Sequence, residues 1–268
     1  MKRIFYVALA AVMIFASLSV FAGCSNNEKD TLVCGVTLYA PMNYKDDKDA
    51  WTGFDTEFAQ LVGEKLGMKV EFREINWNNK YLDLESGSIN CIWNGFTANV
   101  ADSDNVMRKD KVDLSYGYML NQQCIIVKAS NKDNYKSGDD LTGKKGTAEG
   151  GSAGEAYAEK AVGDDGKYIK AGKQTDTFIE VKSGAVDFAV VDILLALETV
   201  GKGNFDDLAI ADIELESEIY AIGFKKGSDL KDKINKAMDE LFAEGKVEEI
   251  AKKYGLESKL KLDKEFKG

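Results

Sequence analysis

Arginine is rare in this sequence, and Arg108 is one of the few side chains that could bind a small anion through a planar guanidinium. The 268 residues include 35 lysines and arginines, of which only Arg3, Arg73 and Arg108 are arginines. A planar guanidinium pairs with a carboxylate through two parallel hydrogen bonds, and the ammonium of lysine cannot do this. An arginine kept among so many lysines suggests that its geometry and not only its charge is used, and for Arg108 the alternative is a solvated charged loop at residues 107–111.

Two further positions combine a polar group with a special place in the chain. Ser152 and Ala153 follow a glycine and open a predicted helix, whose N-terminal N–H groups would favour an anion. Asp192 follows an apolar strand, where burying an unpaired carboxylate is costly, so a cationic partner is expected. The alternative for both Ser152 and Asp192 is that each only caps the helix that follows it.

Several chemistries lack their parts in this sequence. It has no histidine and only four scattered cysteines, which excludes the usual zinc sites and the Ser-His-Asp and Cys-His catalytic sets. The formal charge of -10 argues against nucleic acid or an anionic membrane surface as a partner. We therefore predict a protein without cofactor, metal or catalytic residues.

The elements that would position these residues follow an α/β alternation. Residues 31–38, 69–74 and 91–93 read as strands, and the helices 54–66 and 81–86 separate them. Such an order is typical of a mainly parallel sheet flanked by helices. A second set follows, with strands at 123–127 and 188–191, helices from 153, at 175–182 and at 193–199, and then the stretch 216–224 and helices at 230–244 and 247–253.

An internal repeat links the two sets. Residues 86–95 and 183–192 align without a gap, each with a helix end, a glycine and a strand. Ligands of open α/β sheets bind beyond the carboxyl ends of the strands, and the repeat places Asn94, Gly95 and Asp192 at such ends. They would line one cleft if the two units face each other, although short matches of this kind also arise by convergence on one turn.

Five segments in this order resemble the extracellular solute-binding proteins of family 3, which bind polar amino acids. The segments are 51–57, 92–97, 112–115, 141–145 and 151–155. The resemblance implies an α/β, two-lobed fold like the type II periplasmic binding proteins, with two hinge strands between the lobes and hinge closure on the ligand. It also implies a free amino acid as ligand and delivery to the permease of an ABC transporter.

The resemblance assigns a role to most of the candidate residues. Arg108 would hold the α-carboxylate of the ligand together with Thr97, which follows Gly95, and with Ser152 and the amide of Ala153. The segment between Thr97 and Arg108 is longer than in the family, so the alternative remains that it carries Arg108 away from the cleft.

The remaining roles concern the ligand's ammonium and side chain. Asp192 would accept the ammonium, and Tyr39 and Trp77 would enclose the side chain. Asn94 and Glu149 stand where the family often touches the side chain, and the acidic Glu149 favours a polar or cationic one.

The predicted organisation is a discontinuous first lobe, residues 31–120 and 217–268, and a second lobe, residues 121–216. The chain would cross between them near 119–123 and 214–218, and the protein would be a monomer. The alternatives are a cyclohexadienyl or arogenate dehydratase-like enzyme on the same fold, with Glu149 as its general acid, and a surface adhesin.

The N-terminus predicts export from the cytoplasm. Lys2 and Arg3 precede an apolar run at residues 4–16 that is too short for a stable membrane span, so residues 1–23 read as a signal peptide, with a retained signal anchor as the alternative. Residues 21–24 resemble a lipobox with Phe in place of Leu. We therefore expect a lipid on Cys24, a tether at 24–30, and a lipid-anchored place in the cell envelope outside the cytoplasm.

Three cysteines remain after Cys24, namely Cys34, Cys91 and Cys124, and each lies in an apolar, strand-like run. An odd number of cysteines in such runs favours buried free thiols over disulfides.

Overall fold

The computed structural model describes residues 30–266. The predicted signal peptide, the lipidation site Cys24 and all but the last residue of the tether lie outside the described residues. From Thr31 onward the chain forms one compact unit. Within the described range, none of the helices has the length and apolar character needed to cross a membrane.

The elements are as follows. The strands are β1 Thr31–Val36, β2 Tyr44–Lys45, β3 Trp51–Thr52, β4 Lys69–Glu74, β5 Cys91–Ile92, β6 Asp113–Leu114, β7 Gly117–Lys128, β8 Lys145–Glu149, β9 Lys167–Ala171, β10 Phe188–Asp192, β11 Leu208–Ile210, β12 Ser217–Tyr220, β13 Gly223–Phe224 and β14 Leu260–Asp263. The α-helices are α1 Phe54–Leu66, α2 Lys80–Ser86, α3 Arg108–Lys111, α4 Ala153–Val162, α5 Gln174–Ser183, α6 Ile193–Thr199, α7 Leu230–Ala243 and α8 Lys246–Lys253.

Two sheets follow the same scheme. The first has the order β4-β1-β5-β13-β6, with β1 parallel to β4 and β5 and with β13 antiparallel to its neighbours. The second has the order β9-β8-β10-β7-β11, with β8 parallel to β9 and β10 and with β7 antiparallel to its neighbours. Each sheet with its helices is a lobe, called here the first and the second. The predicted two-lobed α/β fold with mainly parallel sheets is confirmed.

The repeat seen in the sequence has a structural counterpart. Strands β5 and β10 occupy equivalent places, since each lies between a parallel central strand and the one strand that runs the other way. Their carboxyl ends therefore occupy equivalent positions in the two lobes. The repeat reflects equivalent strands.

The lobes are connected through strand β7. Its later residues pair within the second sheet, and its earlier residues pair antiparallel with β12 and β14. The chain leaves the first sheet along β7 and returns through β12 to β13, which gives the two hinge strands that the resemblance implies. The short strand β14 also pairs with the earlier part of β7, near Met119, and was not predicted.

Helix α1 shows why the amphipathic segments form as they do. Phe54, Phe58 and Val62 recur at helical spacing and are buried. Gly67 ends the helix in the left-handed conformation, with a φ of 68°. This face packs in the main core with Trp93. The prediction for this helix is confirmed to the residue.

The three cysteines of the described range are buried and free, as predicted. Cys34 and Cys91 are neighbours on the parallel strands β1 and β5, with 3.6 Å between their sulfur atoms. Cys124 lies on β7 in the second lobe.

Candidate functional site

A narrow cavity lies between the lobes at the carboxyl ends of their strands. Its lining residues are Trp77, Asn94, Gly95, Thr97, Arg108, Glu149, Ser152, Ala153, Gln174 and Asp192. Nine of these were predicted from the sequence; Tyr39 is absent from the lining and Gln174 was not predicted. The free volume is about 10 Å³, which is room for about one water molecule. A larger ligand therefore enters only when the lobes separate.

Arg108 lies at this cavity and not in a solvated loop. It opens helix α3 and is 1% exposed. Its Nε donates to Oδ1 of Asp102 at 2.8 Å, its Nη1 to the carbonyl of Thr97 at 2.9 Å, and its Nη2 to the carbonyl of Gly151 at 3.1 Å. The guanidinium also lies 4.8 Å from the centre of the Phe96 ring. The long segment after Thr97 thus folds back and delivers the arginine to the cleft.

Asp102 keeps this arginine in place. Burial alone would raise the pKa of Asp102, but the charges of Arg108 and Lys80 and a 2.8 Å bond from Lys111 hold it well below its ordinary value. The carboxylate therefore stays ionised and fixes the direction of the guanidinium. Asp102 was not predicted, because its partner is known only from the fold.

Asp192 is held by neutral groups. It is 6% exposed, and no ion pair in the described part of the chain includes it. Its oxygens accept hydrogen bonds from Asn121 (2.6 Å), Gln123 (2.9 Å), Tyr220 (2.9 Å) and Gln174 (2.5 Å). Burial raises the pKa of Asp192 in spite of these donors. Its side chain does not cap helix α6, so the capping alternative is wrong.

Glu218 on β12 forms a pair with Asp192 that the sequence did not reveal. Its Oε2 accepts from Thr97 at 3.1 Å and from the same amides of Asn121 and Gln123, at 2.8 and 3.0 Å. Burial and the charge of Asp192 raise the pKa of Glu218 to about 7. The only sequence signal was an acid directly before the apolar residues Ile219 and Tyr220. Glu218 on β12 and the amides of Asn121 and Gln123 on β7 thus link Thr97 in the first lobe with Asp192 in the second through hydrogen bonds.

Glu149 ends strand β8 and faces the cavity. The residue is 2% exposed, and its buried Oε1 has no hydrogen-bond partner among the described residues. Burial, and then the charge of Asp192, raise the pKa of Glu149 to about 8. A buried carboxylate of this kind is stabilised by any cation that enters the cavity.

At the start of helix α4, Ser152 has the role of a helix cap, which was the alternative to an anion site. The hydroxyl of Ser152 accepts the N–H of Glu155 at 3.1 Å and so caps helix α4. Gly151 precedes it with a φ of +76°. Ser152 and Ala153 still line the cavity, so the helix N-terminus faces it.

The loop after β5 is fixed by the first lobe. Asn94 donates to the carbonyl of Thr37 at 3.1 Å and accepts from its hydroxyl at 2.7 Å. The N–H of Gly95 donates to Asp55 at 2.7 Å. A Cβ at Gly95 would lie 2.6 Å from the ring of Tyr39. These contacts hold the loop so that it faces the cavity.

The two predicted aromatic residues differ in their positions. Trp77 lines the cavity beside Phe96, with 6.1 Å between the ring centres. Tyr39 lies behind Gly95, where its hydroxyl contacts that of Tyr220 at 2.6 Å. Gln174 occupies the place after β9 that Trp77 occupies after β4, so a strand prediction at 167–171 would have found it.

Residues 32–257 match the family described as bacterial extracellular solute-binding proteins, family 3. The chain belongs to this family. The resemblance seen in its sequence segments is thereby confirmed over nearly the whole described range.

The relatives of this solute-binding protein are named for amino acids. The chain is 30% identical over 257 residues to the L-cystine-binding protein TcyJ of Escherichia coli (strain K12), with 92% of this chain and 93% of the relative covered. It is 31% identical over 262 residues to the arginine-binding extracellular protein ArtP of Bacillus subtilis (strain 168), with 95% and 98% covered. Among solved structures it resembles an ancestral arginine-binding protein bound to arginine, with a TM-score of 0.77, 33% identity and 85% and 99% of the chains covered. These are binding proteins, so the prediction that the chain is not an enzyme is confirmed.

Proposed function

We propose that this solute-binding protein captures a free amino acid between its lobes and delivers it to the permease of an ABC transporter. The observation that carries this proposal is that Arg108 and Asp192 line one cavity from opposite lobes. A cationic fork on one side and a carboxylate without a cation on the other match the two charges of a zwitterion. The names of the relatives support an amino acid as ligand.

The proposed contacts follow from this polarity. Arg108, Thr97 and the helix start at Ser152 and Ala153 receive the α-carboxylate, and Asp192 receives the ammonium. To bind a carboxylate, Arg108 exchanges its bond to the Gly151 carbonyl for the ligand. This costs little because one acceptor replaces another.

The rest of the cavity receives the side chain of the ligand. Trp77 offers an apolar surface, and Glu149 favours a polar or cationic group because its buried carboxylate oxygen has no partner among the described residues. Asn94, Gly95 and Tyr39 act from behind by holding the loop in place.

We further propose that the lobes comprise residues 31–120 with 217–268 and residues 121–216, and that they open by bending near 119–123 and 214–218. The strands β7 and β12, which run between the sheets at these positions, support this division. In the closed arrangement the first and second lobes also meet through an ion pair of 2.7 Å between Glu74 and Lys173.

The N-terminal prediction adds an anchor to this proposal. A monomer held in the cell envelope by a lipid on Cys24 would remain near its permease. Mass spectrometry of the protein purified from membranes is expected to show a diacylglycerol on Cys24, and a Cys24→Ser variant is expected to leave the membrane fraction. An unmodified cysteine on membrane-bound protein would contradict the anchor.

Calorimetric titration of the purified protein with each proteinogenic amino acid tests the binding role. One or a few are expected to bind with micromolar or tighter Kd and to raise Tm in proportion to occupancy. Mass spectrometry of small molecules released from natively purified protein should identify the same ligand. If no amino acid binds or co-purifies, the proposal is wrong.

A further inference from the structure

A second cavity lies where the chain returns to the first lobe, and it is called here the hinge pocket. Its volume is about 570 Å³, which is the size of a small-molecule site. Its walls are residues 99–101 of the first lobe, helix α4 of the second lobe, and the returning segment 214–218. Of the described residues, only Ala153 lines both this pocket and the amino-acid cavity. The two are therefore separate places for a ligand.

Two buried side chains of the hinge pocket each have an acceptor atom without a donor among the described residues. Gln123 and Glu218 line the pocket and are 5% and 6% exposed. The amide nitrogen of Gln123 donates to Oε2 of Glu218, but neither residue's Oε1 accepts a hydrogen bond within the described range. A Cβ at Gly154 would lie 3.0 Å from Oε1 of Gln123, so this oxygen lies beside helix α4. Acceptors of this kind favour a ligand that donates hydrogen bonds.

The charge of the hinge pocket is negative. Glu214, Glu216 and Glu218 line it, and among the described residues Lys160 is the one base of the lining. Glu214 and Glu216 are exposed, and neither forms an ion pair with a described residue. The carboxylates do not come together as a metal site within the described range. The pocket therefore suits an organic cation with several donors.

The spacing of the three glutamates indicates the shape of this cation. They occupy every second residue of a segment that has no turn between residues 213 and 216 and leads directly into β12. Alternate residues of an extended segment lie about 6.6 Å apart, which is close to the separation of the two nitrogens in extended 1,4-diaminobutane. Tyr157 and Leu215 also line the pocket and offer apolar surface to methylene groups, and the ring of Tyr157 attracts cations.

We propose that the hinge pocket binds an aliphatic diamine or polyamine, a methylene chain that carries ammonium groups at intervals. One ammonium group donates to the Oε1 atoms of Glu218 and Gln123. The next ones along the chain pair with Glu216 and Glu214, and the methylene groups between them lie against Tyr157. This site is additional to the one that receives the amino acid.

The position of the hinge pocket couples it to closure of the lobes. Residues 99–101 and helix α4 belong to different lobes, so they move apart when the lobes open. An amine that contacts both walls binds the closed arrangement better than the open one. By reciprocity it should raise the affinity for the amino acid, and the amino acid should raise the affinity for the amine. This coupling rests on the proposed function, whereas binding of the amine does not.

Calorimetric titration of the purified protein with spermidine, 1,4-diaminobutane and 1-aminobutane tests the site. Spermidine and the diamine are expected to bind saturably, and 1-aminobutane, with a single ammonium group, about tenfold or more weakly. The double variant Glu214→Gln/Glu216→Gln should raise the Kd of spermidine about tenfold or more. The matched control is Glu248→Gln/Glu257→Gln, which removes the same charge from two exposed glutamates outside the pocket. Its Kd for spermidine should stay within about twofold.

Competition with the amino acid separates the hinge pocket from the amino-acid cavity. A saturating amino acid is expected to lower the Kd of spermidine. If it displaces spermidine instead, the amine binds in the amino-acid cavity and the hinge site is overturned. Equal losses in the two double variants would show that only the overall negative charge attracts the amine, which also overturns the site. The same holds if no amine binds, and the amino-acid role then stands. If spermidine binds as described but the amino acid leaves its Kd unchanged, the site stands and the coupling is wrong.

Discussion

Asp192 and Arg108 show how differently two buried charges are maintained at the residue scale. Arg108 has an anionic partner of its own in Asp102 and uses its remaining donors on backbone carbonyls. Asp192 has only neutral donors, and it shares two of them with Glu218. Under the proposed function, a ligand ammonium would add the missing opposite charge at Asp192, whereas a ligand carboxylate would have to compete for Arg108.

Asp192→Asn tests the acceptor role. The amide keeps the shape but lacks the charge that an ammonium needs, so we expect amino-acid affinity to fall by about 2 kcal/mol or more, roughly 30-fold. Calorimetric titration with the identified ligand gives the change. Glu218→Gln is the control, since it alters the same amide cluster but keeps Asp192, and its effect should be smaller. Equal losses in the two variants would show that the cluster matters only as a structure.

Arg108→Lys tests the fork at constant charge. Lysine cannot make the bidentate contact, so the ligand's Kd should rise by about 30-fold, close to 2 kcal/mol. Arg73→Lys is the matched control, because Arg73 is exposed and donates to the carbonyl of Ser88. We expect the Arg73→Lys variant to bind the ligand with an unchanged Kd. An Arg108→Lys variant with normal affinity and normal Tm would exclude Arg108 from the carboxylate contact.

At the scale of elements, the turn between β8 and α4 brings the lobes together. The carbonyl of Gly151 accepts from both Arg108 and Lys80 of the facing lobe. A Cβ at this glycine would lie 3.0 Å from both the Cα of Asn78 and the ammonium of Lys80. The turn therefore approaches the first lobe as closely as a residue without a side chain permits.

Gly151→Ala should hinder closure of the lobes. We expect ligand affinity to fall about tenfold, and small-angle scattering should show less compaction on addition of ligand. Gly143→Ala is a close control, because Gly143 has a φ of +75° and a Cβ there would meet no atom of the described residues within 4 Å. Alanine at position 143 would have the same backbone strain as alanine at position 151, where φ is +76°, but would not collide with the facing lobe. If both variants lower affinity equally, strain and not closure explains the effect.

The elements also show what a sequence can predict. Helices α1 and α6 and strand β4 match their predicted bounds, because their apolar period and flanking residues act locally. Strands β9 and β14 were missed, since each is short, half polar and held by its pairing partner.

The same division holds for the site. The carboxyl ends of the repeated strands predicted Asn94, Gly95 and Asp192 of the cavity lining, because that rule depends on element order alone. Most of the other lining residues were predicted from the family resemblance. Glu218, Lys80 and Asp102 were missed because their surroundings are set by the folded chain. Buried charges are identified only when their neighbours are known.

At the scale of the whole molecule, folding and closure of the lobes keep several acidic groups away from water. Asp55, Glu149 and Glu218 are all buried, and burial raises the pKa values of Asp55 and Glu218 to about 7 and that of Glu149 to about 8. Asp55 accepts from Tyr118 and from the N–H of Gly95, so it acts behind the site. The folded, closed protein therefore holds protons that an unfolded chain would release.

This difference predicts a dependence of stability on pH. Between pH 5 and 6.5 the unfolded chain has lost these protons and the folded protein keeps them, so a rise in pH favours unfolding. The pKa of Lys80 is lowered to about 7, so this group makes stability rise with pH, but only above pH 7. The lowered pKa of Asp102 affects stability only at a pH below this window. We expect a loss of at least about 2 kcal/mol across this window, or a fall in Tm of about 4–8 °C, in ligand-free protein measured by calorimetry.

Glu149→Gln and the bound ligand separate the contributions to this slope. The Glu149→Gln variant lacks one of the groups that bind a proton in the folded protein, so its Tm should fall less between pH 5 and 6.5 than that of the unaltered protein. A saturating amino acid should also flatten the profile, since its ammonium stabilises the ionised carboxylate of Asp192 and lowers the pKa of that group. A Tm that is level or rises with pH in ligand-free protein would mean that these carboxylates remain ionised. Glu149 and Glu218 would then be exposed to water, and the lobes would be open before the ligand arrives.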